Sequence, residues 1–351
     1  GEISEADIPA EILDEWMGDE ERKNMMLTKP ASSTTNFLGF NFEPLYEEEY
    51  GPENWKKAVN NENFRKSIYY GLDREAAVMT SYPYEYEDQI LNTITAKNFV
   101  DVGGVDYTEL EPLKEITNTD QFQPDLALEY KEKALEELKG TVDFPVIVVM
   151  PYSTGNLALT NRVQVEKQQL ENLLGSDYIT VVLVPYPPTN YLKESRSSGK
   201  FSIMEMGWGP DYADPAGYTE VMTHDTSIGT KYSRPYLAED LKDENGNSIY
   251  ENMVNEAKAE TSDTAKRYEL FAEAERYLID HALVLPLYAS GGGYRATCLD
   301  PFSGHCTQFG RNLDKYKGAK VLDQPLTQEE YAAAEAQYLE EREAALKAAE
   351  E

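Results

Sequence analysis

A short segment near position 210 carries residue types suited to holding a charged ligand. It reads Met206-Gly-Trp-Gly-Pro-Asp211-Tyr-Ala-Asp214-Pro215 and follows a predicted strand, Phe201 to Met206. Ligands of open α/β sheets bind at the carboxyl ends of the strands. Glycines let a main chain approach a ligand, a tryptophan forms a broad apolar wall, and a carboxylate suits a ligand ammonium because charge-assisted hydrogen bonds are strong. The candidate binding residues of this segment are Gly207, Trp208, Gly209 and Asp211.

The same segment also fits a turn that binds nothing. Glycine, proline and aspartate dominate turns, where the aspartate side chain accepts hydrogen bonds from nearby backbone amides. Asp214 precedes a proline and is predicted to be such a turn residue. Composition alone leaves both interpretations of the segment open.

The cysteines and histidines near the C-terminus do not form a recognisable metal site. The chain has two cysteines and three histidines. Cys298, His305 and Cys306 could supply three zinc ligands, but two of them are adjacent and a fourth ligand is missing. A disulfide between Cys298 and Cys306, or two free thiols, is therefore expected in place of zinc.

Other motifs of catalysis and ion binding are absent or incomplete. The sequence contains no nucleophile elbow, P-loop or dinucleotide fingerprint. Asp243 begins a calcium-like loop, but Ser248 and Val254 stand where that loop needs glycine and glutamate, so a tight turn is expected. His281 is predicted to be a core histidine of a buried strand, and His224 has no candidate nucleophile in its neighbourhood. We therefore expect neither a cofactor nor a metal.

The charge of the chain excludes several classes of partner. It has 351 residues, with 32 lysines and arginines against 64 aspartates and glutamates, and a formal net charge of −32. An acidic surface repels phosphate groups, so binding to nucleic acid or to anionic membranes is not expected. No apolar run approaches the roughly 18 residues of a membrane-spanning helix. The chain does not begin with a basic segment followed by an apolar one, so we expect any export signal to have been removed or to lie outside the given sequence, and the ends of the chain to be cut ends.

The clearest structural unit lies in the middle of the chain. Pro145 to Met150 and Ile179 to Val184 are apolar runs, and a helical pattern that ends at Gly175 lies between them. This order of strand, helix and strand predicts a right-handed βαβ unit with both strands buried in a mostly parallel sheet. The predicted fold class is therefore α/β.

Further helices and strands are predicted on both sides of this unit. Asp73 and Asp263 are placed to cap helices, and Thr327 opens a capping box for a C-terminal helix. Residues 81 to 123 show no clear period and are predicted to be irregular. The remaining predictions are a helix around Ile8 to Trp16, a connection from Ser32 to Phe42 that enters a strand, a helix carrying Phe64, Ile68 and Leu72, helices from Glu129 to Leu138 and from Thr189 to Ser197, and a strand from His281 to Tyr288.

Three separated stretches resemble one protein family. Residues 61 to 75 resemble its signature of an arginine, a helix and Asp-Arg-Glu, and residues 201 to 215 resemble its strand followed by Gly-Trp and an Asp-Tyr-x-x-Pro turn. Residues 274 to 288 resemble its closing helix and strand, and Asn92-Thr with the Gly103-Gly104 turn is similar to its Gram-positive branch. The family is that of the oligopeptide-binding proteins of ABC importers, the extracellular solute-binding proteins of family 5.

The resemblance implies a periplasmic-binding-protein-like fold of type II. Such a fold has an α/β lobe with a mixed, mostly parallel sheet flanked by helices. Residues 1 to 38 are then expected to be a crossover or hinge segment from a first lobe, and residues 39 to 294 the ligand-binding lobe. Residues 295 to 351 are expected to be a return segment and a C-terminal helix. The family's first lobe has no counterpart in this sequence.

The resemblance also implies roles for individual residues. Asp211 is expected to receive the α-ammonium of a peptide, Trp208 to wall a side-chain pocket, and the backbone of residues 207 to 209 to pair with the peptide main chain. Some members of the family place positively charged residues in and just before this strand to bind the peptide carboxylate. Arg196 lies at one of these positions, whereas Glu205 occupies another. Arg196 also fits a surface arginine at a helix end. Three further residues match family positions and are expected to serve structure through helix capping and ion pairs: Arg65, Asp73 and Arg74.

The function implied is that of a non-enzymatic, solute-binding component of an ABC importer. Such a component binds extended oligopeptides in a cleft between two lobes and delivers them to the permease subunits in the membrane. We expect a monomer that is periplasmic, or lipid-anchored at the extracellular face of the cytoplasmic membrane.

Three alternatives to this function stay open. The same fold could bind an oligosaccharide through Trp208 and the many tyrosines. Asp211 with a second acid could form a glycoside hydrolase, which needs two carboxylates facing one bond. The C-terminal helix could form an interaction module, although its apolar stripe is sparse for a coiled coil.

Overall fold

The structure is a computed structural model that describes residues 3 to 224, 233 to 303 and 317 to 350. The chain divides into two compact units. Residues 1 to 31 and 291 to 351 form unit 1, and residues 32 to 290 form unit 2. The chain therefore passes between the units at 31/32 and again at 290/291.

The described residues form helices and small sheets in alternation. The strands are β1 (Glu5–Ile8), β2 (Leu27–Thr28), β3 (Ala31–Phe40), β4 (Asp101–Val102), β5 (Val105–Asp106), β6 (Val146–Ser153), β7 (Ile179–Tyr186), β8 (Ile203–Trp208), β9 (Val284–Gly291) and β10 (Tyr294–Thr297). The α-helices are α1 (Leu13–Met17), α2 (Glu20–Asn24), α3 (Pro52–Val59), α4 (Glu62–Gly71), α5 (Arg74–Val78), α6 (Tyr86–Gln89), α7 (Glu111–Thr117), α8 (Pro124–Glu137), α9 (Leu157–Leu174), α10 (Tyr191–Glu194), α11 (Ala216–Thr219), α12 (Ile249–Ala259), α13 (Thr264–Asp280) and α14 (Gln328–Glu350). Short 3-10 turns lie at Ala10–Ile12, Glu48–Tyr50, Tyr107–Glu109, Glu220–Met222, Pro235–Leu237 and Glu239–Leu241.

The predicted βαβ unit is confirmed in unit 2. β6 and β7 pair in parallel, with Val148 opposite Val181, and α9 connects them. The side chain of Asn156 caps α9 by accepting a hydrogen bond from the Leu159 amide (2.9 Å). The helix ends at Gly175, whose φ of +88° lies in the region that favours glycine. Local sequence signals therefore define both ends of this helix.

A second sheet of unit 2 has the strand order β8-β3-β9. β3 and β8 are antiparallel, from Thr35 opposite Trp208 to Phe40 opposite Ile203. Ser202 connects this sheet to β6, because its amide donates to the Val149 carbonyl (2.8 Å) and its hydroxyl accepts from the Val149 amide (2.9 Å). The mixed α/β fold class is thus confirmed, but the sheets of the described residues are not mostly parallel: β6 and β7 are parallel, whereas the pairs β3–β8, β1–β10, β10–β2 and β4–β5 are antiparallel.

β3 takes the place of the connection predicted from Ser32 to Phe42. Its first six residues include Ala31 and Asn36, which are residue types depleted in strands, together with two serines and two threonines. The hydrogen-bonded ladder with β8 and the burial of Phe37, Leu38 and Phe40 outweigh this composition. The prediction was wrong because the partner strand is distant in sequence.

Unit 1 contains a sheet of strand order β1-β10-β2. The helix predicted around Ile8 to Trp16 is only partly present, because Ile8 ends strand β1 and pairs with Tyr294 of β10. Pro9 follows in an extended conformation (φ −71°, ψ 154°). A residue before proline avoids helical angles, so helical structure begins only after this proline.

Residues 81 to 123 contain more regular structure than predicted. α6, the β4–β5 hairpin and α7 lie in this stretch, and the hairpin turns at Gly103 and Gly104 with φ values of +59° and +85°. Glu275 of α13 is fully buried and holds the segment between α6 and β4. It accepts hydrogen bonds from the amides of Ile94 (2.7 Å) and Thr95 (3.0 Å) and from the Thr95 hydroxyl (2.6 Å).

The predicted caps and turn are confirmed. Asp73 accepts a hydrogen bond from the Ala76 amide of α5, and Asp263 accepts one from the Lys266 amide of α13. Thr327 and Glu330 bond reciprocally as a capping box at the start of α14. Asp243 accepts hydrogen bonds from two amides of the tight turn that follows it, those of Asn245 and Asn247.

His281 lies in a different position from the one predicted. It is the C-cap residue of α13 and precedes β9, so it does not lie in a buried strand. Its Nδ1 atom lies 2.7 Å from Glu62 Oε2, and its side chain is 28% exposed. The apolar run that predicted the strand begins one residue later, and Ala282 (φ +49°) turns the chain between helix and strand.

The C-terminal helix α14 packs against Phe302. Phe302 packs against Tyr331 and Tyr338 of α14, with ring centroids 5.5 and 5.1 Å apart. Cys298 follows β10 and is partly buried. The expectations of a disulfide with Cys306 or of a zinc site concern residues 305 and 306, which lie outside the described residues.

Candidate ligand-binding site

The strand that carries the candidate site is shifted by two residues from the predicted range, Phe201 to Met206, and has the same length. β8 ends at Trp208, two residues beyond the predicted end at Met206. Gly207 pairs with Asn36 of β3, and Trp208 pairs with Thr35. Gly207 and Trp208 are therefore strand residues, and the turn begins only at Gly209.

The two glycines of the segment lie against side-chain atoms of β3 that would have to shift if a larger residue replaced either glycine. A Cβ atom added to Gly207 would lie 2.8 Å from Asn36 Oδ1, and one added to Gly209 would lie 2.5 Å from Thr34 Oγ1. Real side chains essentially never show contacts this short. These glycines bring β8 and the following turn close to β3, a structural need that the sequence pattern alone did not reveal.

Trp208 fixes the loop that follows β8. Its indole Nε1 donates a hydrogen bond to the Gly217 carbonyl (2.6 Å), and the side chain is half-buried. Pro210 packs on Gly217, where an added Cβ atom would lie 2.6 Å from the Pro210 Cβ. The exposed part of the indole is thus held in a defined orientation next to the turn.

Asp214 has the structural role that its position before proline predicts. Its carboxylate accepts a hydrogen bond from the Ala216 amide (2.9 Å) and forms a two-point ion pair with Arg267 (3.1 and 3.2 Å). Both carboxylate oxygens are therefore engaged.

Asp211 differs from Asp214 in its surroundings. Its side chain is exposed, and no hydrogen bond or ion pair engages its carboxylate within the described residues. It lies three residues beyond the end of β8, after the proline that packs on Gly217. The structure thus presents a carboxylate at the carboxyl end of a strand, where a ligand ammonium can reach it.

Arg196 lies on another segment, two residues beyond α10. It is half-buried, and its carbonyl accepts a hydrogen bond from the Gly199 amide (3.1 Å). Its guanidinium interacts electrostatically with the hydroxyl of Tyr191 in α10. That hydroxyl donates a hydrogen bond to the Pro151 carbonyl (3.1 Å). Burial raises the pKa of Tyr191, and Arg196 opposes that rise. The structure therefore places Arg196 near the tyrosine-rich end of β6 and β7.

A buried polar network lies behind β8 and was not foreseen. Arg162 of α9 donates two hydrogen bonds to Glu205 of β8 (2.8 and 2.9 Å), and its side chain is 3% exposed. The Tyr288 hydroxyl of β9 accepts from Arg162 (2.9 Å) and donates to Glu205 (2.8 Å). The guanidinium also donates to Ser81 (2.7 Å). The charge of Glu205 is thus neutralised within the protein.

Glu166 lies one helical turn from Arg162, on the buried face of α9. It is fully buried, and within the described residues neither of its oxygens has a hydrogen-bond partner. Burial, together with the nearby charge of Glu205, raises the pKa of Glu166 to about 8, although Arg162 lowers it. The side chain is therefore mostly protonated at neutral pH. Arginine and glutamate four residues apart on an otherwise apolar helix face could have indicated this network.

Two adjoining cavities lie elsewhere in unit 2. One has a volume of about 400 Å³ and is bordered by Arg74, Asn92 and Asp120, and the other, of about 230 Å³, shares the last two residues. None of their lining residues belongs to the segment from Met206 to Pro215. Arg74 donates to the Pro286 carbonyl (3.2 Å) and to Asn92 Oδ1 (2.5 Å), which supports the structural role expected for it.

The described residues contain neither a cluster of metal ligands nor a membrane-spanning helix. Within them, no group of three or more histidine, cysteine, aspartate or glutamate residues could hold a metal ion. In the same part of the chain, no helix has the length and apolar character needed to cross a bilayer.

The fold belongs to the mixed α/β class, and the candidate segment lies at the carboxyl end of strand β8. The family model of the bacterial extracellular solute-binding proteins, family 5 (middle), matches residues 1 to 230. The chain belongs to this family. The resemblance seen in the three sequence stretches is thereby confirmed.

Individual relatives agree with this assignment. The chain is 28% identical over 366 aligned residues to the oligopeptide-binding protein AliB of Streptococcus pneumoniae, with 95% of this chain and 55% of AliB covered. It is 25% identical over 292 residues to the dipeptide-binding protein DppE of Bacillus subtilis, with 82% and 45% covered. The chain spans about half the length of the curated relatives it matches.

Solved structures show the same fold. The substrate-binding domain of an oligopeptide ABC transporter from Bacillus anthracis matches with a TM-score of 0.69 at 19% identity, covering 92% of this chain and 55% of that one. The peptide-bound OppA of Listeria monocytogenes matches with a TM-score of 0.66 at 17% identity, covering 91% and 54%. The expected periplasmic-binding-protein-like fold is confirmed.

Proposed function

We propose that unit 2 supplies one wall of the peptide-binding cleft of an ABC importer's solute-binding component. Family membership supports a solute-binding role. Several relatives are named for oligopeptide binding, and one structure of the same fold holds a peptide. Delivery of the peptide to membrane permease subunits, at the extracellular or periplasmic side, is part of the same proposal.

The main support for the proposal is the exposed carboxylate of Asp211. Its carboxylate is exposed and unengaged among the described residues, whereas nearby Asp214 is occupied by Arg267 and a backbone amide. A peptide α-ammonium placed at Asp211 gains a charge-assisted hydrogen bond. Trp208 then offers its exposed face to an adjacent peptide side chain.

Main-chain pairing explains how many peptide sequences can bind at one place. β8 ends the strand order β8-β3-β9, with Gly207 and Trp208 as its last two residues, and Gly209 begins the turn that follows. Backbone hydrogen bonds engage groups that every peptide has, so side-chain identity matters less. We propose that the backbone of Gly207, Trp208 and Gly209 pairs with the peptide and that Arg196 attracts its carboxylate end.

The proposed mechanism is conformational and involves no covalent chemistry. A peptide that contacts both walls of a cleft favours the closed state by its differential affinity, and the permease recognises that state. We therefore propose a non-enzymatic role. Asp211 has one acidic neighbour in the turn, Asp214, and the Arg267 ion pair withdraws it from acid-base chemistry.

The division of the chain into functional parts is also a proposal. We assign residues 39 to 294 to the ligand-binding lobe, residues 1 to 38 to a crossover segment and residues 295 to 351 to a return segment with a C-terminal helix. Two features support this division. The chain passes from unit 1 to unit 2 at 31/32 and back at 290/291, and both chain ends belong to unit 1.

Calorimetric titration with a pool of short peptides and their N-acetylated copies tests the function. A single wall binds more weakly than a closed cleft, so dissociation constants of about 100 μM or weaker are expected for free-amine peptides. Acetylation should abolish binding, and Asp211→Asn should weaken it about tenfold. Asp125→Asn, at an exposed helix position, serves as the control and should leave binding unchanged.

Two results would contradict the proposal at different levels. Equal binding of acetylated and free peptides would remove Asp211 as the ammonium site while leaving peptide binding intact. Binding of oligosaccharides in the absence of any peptide binding would replace the ligand class altogether.

A further inference from the structure

Strand β7 presents one of its edges away from β6. The carbonyls of Tyr178 and Tyr186 accept hydrogen bonds from amides on the β6 side (2.9 Å each). Backbone groups of successive strand residues point to alternate edges, so the odd-numbered residues of β7 point outward. An outward edge of this kind pairs readily with another extended chain. The outward-pointing residues are Ile179, Val181, Leu183 and Pro185.

Two side chains of α9 occupy the backbone groups of Val181. Glu171 Oε1 accepts a hydrogen bond from the Val181 amide (2.7 Å), and Lys167 Nζ donates to the Val181 carbonyl (2.5 Å). Lys167 and Glu171 also form an ion pair with each other (2.6 Å). Together they donate to and accept from one residue, as a residue of a neighbouring strand does in a sheet.

The other outward amides of β7 are partly closed as well. The Ile179 amide donates to the Gly175 carbonyl in the turn before the strand (3.1 Å), and Pro185 has no amide hydrogen. Among the described residues, the amide of Leu183 and the carbonyls of Ile179, Leu183 and Pro185 have no hydrogen-bond partner along this edge. An incoming chain that pairs with β7 across Val181, in the middle of the strand, must therefore displace Lys167 and Glu171.

The far edge of β6 needs no such protection. Ser202, which precedes β8, exchanges two hydrogen bonds with Val149 of β6 (2.8 and 2.9 Å). This contact joins β6 to the sheet that carries the candidate site. The β7 edge is thus the outer boundary of the combined strands of unit 2 on this side.

We propose that Lys167 and Glu171, the edge plug, keep extended peptide chains from pairing with β7. The inference rests on the proposed peptide-binding function, because a lobe that recognises peptide main chains gains from offering them one place to pair. An open second edge would bind the same peptides without leading to transport. A charged pair held by its own helix closes that edge at little structural cost.

Removal of the plug tests the inference. The probe is an extended peptide of alternating threonine and valine, acetylated and amidated so that it has no α-ammonium for Asp211. Lys167→Ala/Glu171→Ala should bind this probe, or self-associate in sedimentation velocity, while the unchanged protein does neither. The matched control is Glu129→Ala/Lys133→Ala, which removes an exposed ion pair of α8 with the same four-residue spacing.

Amide hydrogen exchange shows whether the edge has opened. In the plug variant, the Val181 amide should exchange at least about tenfold faster than in the unchanged protein, because its acceptor is lost. Glu171→Gln keeps an acceptor for that amide and should lie between the two. Circular dichroism confirms that each variant is folded.

Three outcomes would overturn the inference. The first is a folded plug variant whose Val181 amide exchanges faster but which neither binds the probe nor self-associates. The second is unchanged exchange at Val181, and the third is equal binding of the probe by the unchanged protein. A different observation would contradict the proposed function itself: free-amine peptides would fail to bind to the unchanged protein.

Discussion

Arg162 and Glu205 form a two-point ion pair, with distances of 2.8 and 2.9 Å, directly behind the strand that carries the candidate site. Both side chains are largely buried, at 3% and 12% exposure. A buried charge that loses its partner is costly, and removal of one partner of such a pair typically costs several kcal/mol. The network therefore determines how firmly β8 is held against α9.

Glu205→Gln should lower the free energy of unfolding by about 3 kcal/mol, because it leaves the Arg162 guanidinium buried without a counter-charge. Urea unfolding followed by circular dichroism measures the change. Glu47→Gln, which breaks the exposed ion pair with Lys200, is the control and should change the free energy of unfolding by less than about 1 kcal/mol. Equal effects of the two substitutions would show that the buried network contributes little.

Glu166→Gln should make the protein more stable at neutral pH and less sensitive to pH. The pKa of Glu166 is about 8 in the folded chain, against an ordinary value of 4.5. The folded state thus keeps a proton that the unfolded state releases above pH 4.5, so this contribution to stability is present at low pH and is lost as pH rises towards 8. The expected gain at pH 7 is on the order of 3 kcal/mol.

Unfolding at pH 5, 7 and 9 measures this effect of Glu166. The difference between the variant and the unchanged protein should grow from pH 5 to pH 8 and then level off. Glu136→Gln, at an exposed position of α8, controls for the loss of one negative charge. A difference that stays constant with pH would be incompatible with a raised pKa at Glu166.

Glu275→Ala should release the segment that contains Ile94 and Thr95. Its carboxylate accepts from both backbone amides and from the Thr95 hydroxyl, and all of these groups are buried. Donors left without an acceptor cost about 1 to 3 kcal/mol each, so a loss of at least about 3 kcal/mol is expected. Hydrogen exchange at the two amides should accelerate, whereas Glu273→Ala, at an exposed position of the same helix, should leave them protected.

Gly209→Ala should destabilise the turn after β8 by about 1 to 3 kcal/mol, because the new methyl group would lie 2.5 Å from Thr34 Oγ1. Combination with Thr34→Ala removes that atom and should restore part of the loss. A thermal-unfolding double-mutant cycle measures the coupling between the two positions. Additive effects would mean that the glycine is needed for another reason.

Local signals in the sequence predicted the elements whose stabilising contacts are also local. The hydrogen bonds of the caps at Asp73 and Asp263 and of the capping box at Thr327 join residues three positions apart, so residue type and position sufficed. The βαβ unit was predictable because two buried apolar runs flank a helix whose cap and terminating glycine lie beside it.

Elements that depend on distant partners were predicted less well. β3 and the last residues of β8 pair across more than 160 positions of sequence, as Thr35 opposite Trp208 shows. Ala31 and Asn36 of β3 and Gly207 of β8 are residue types that are depleted in strands, so local composition did not predict the pairing. The partners of Arg162 likewise come from β8 and β9. In the candidate site, the residue types of the turn were informative, but the separate roles of Asp211 and Asp214 depended on Arg267, which no local pattern connects to them.

The indole of Trp208 also makes the candidate site visible to fluorescence spectroscopy. The chain has three tryptophans, of which Trp55 is fully buried with its Nε1 bonded to the Asn41 carbonyl. Trp16 belongs to unit 1 and lies under the Arg22 guanidinium. Replacement of Trp16 by phenylalanine therefore leaves two fluorescent tryptophans, Trp55 in the core and Trp208 in the candidate site. The emission of Trp55 should stay constant, so changes in emission wavelength and intensity report on occupancy of the site at Trp208 without any added label.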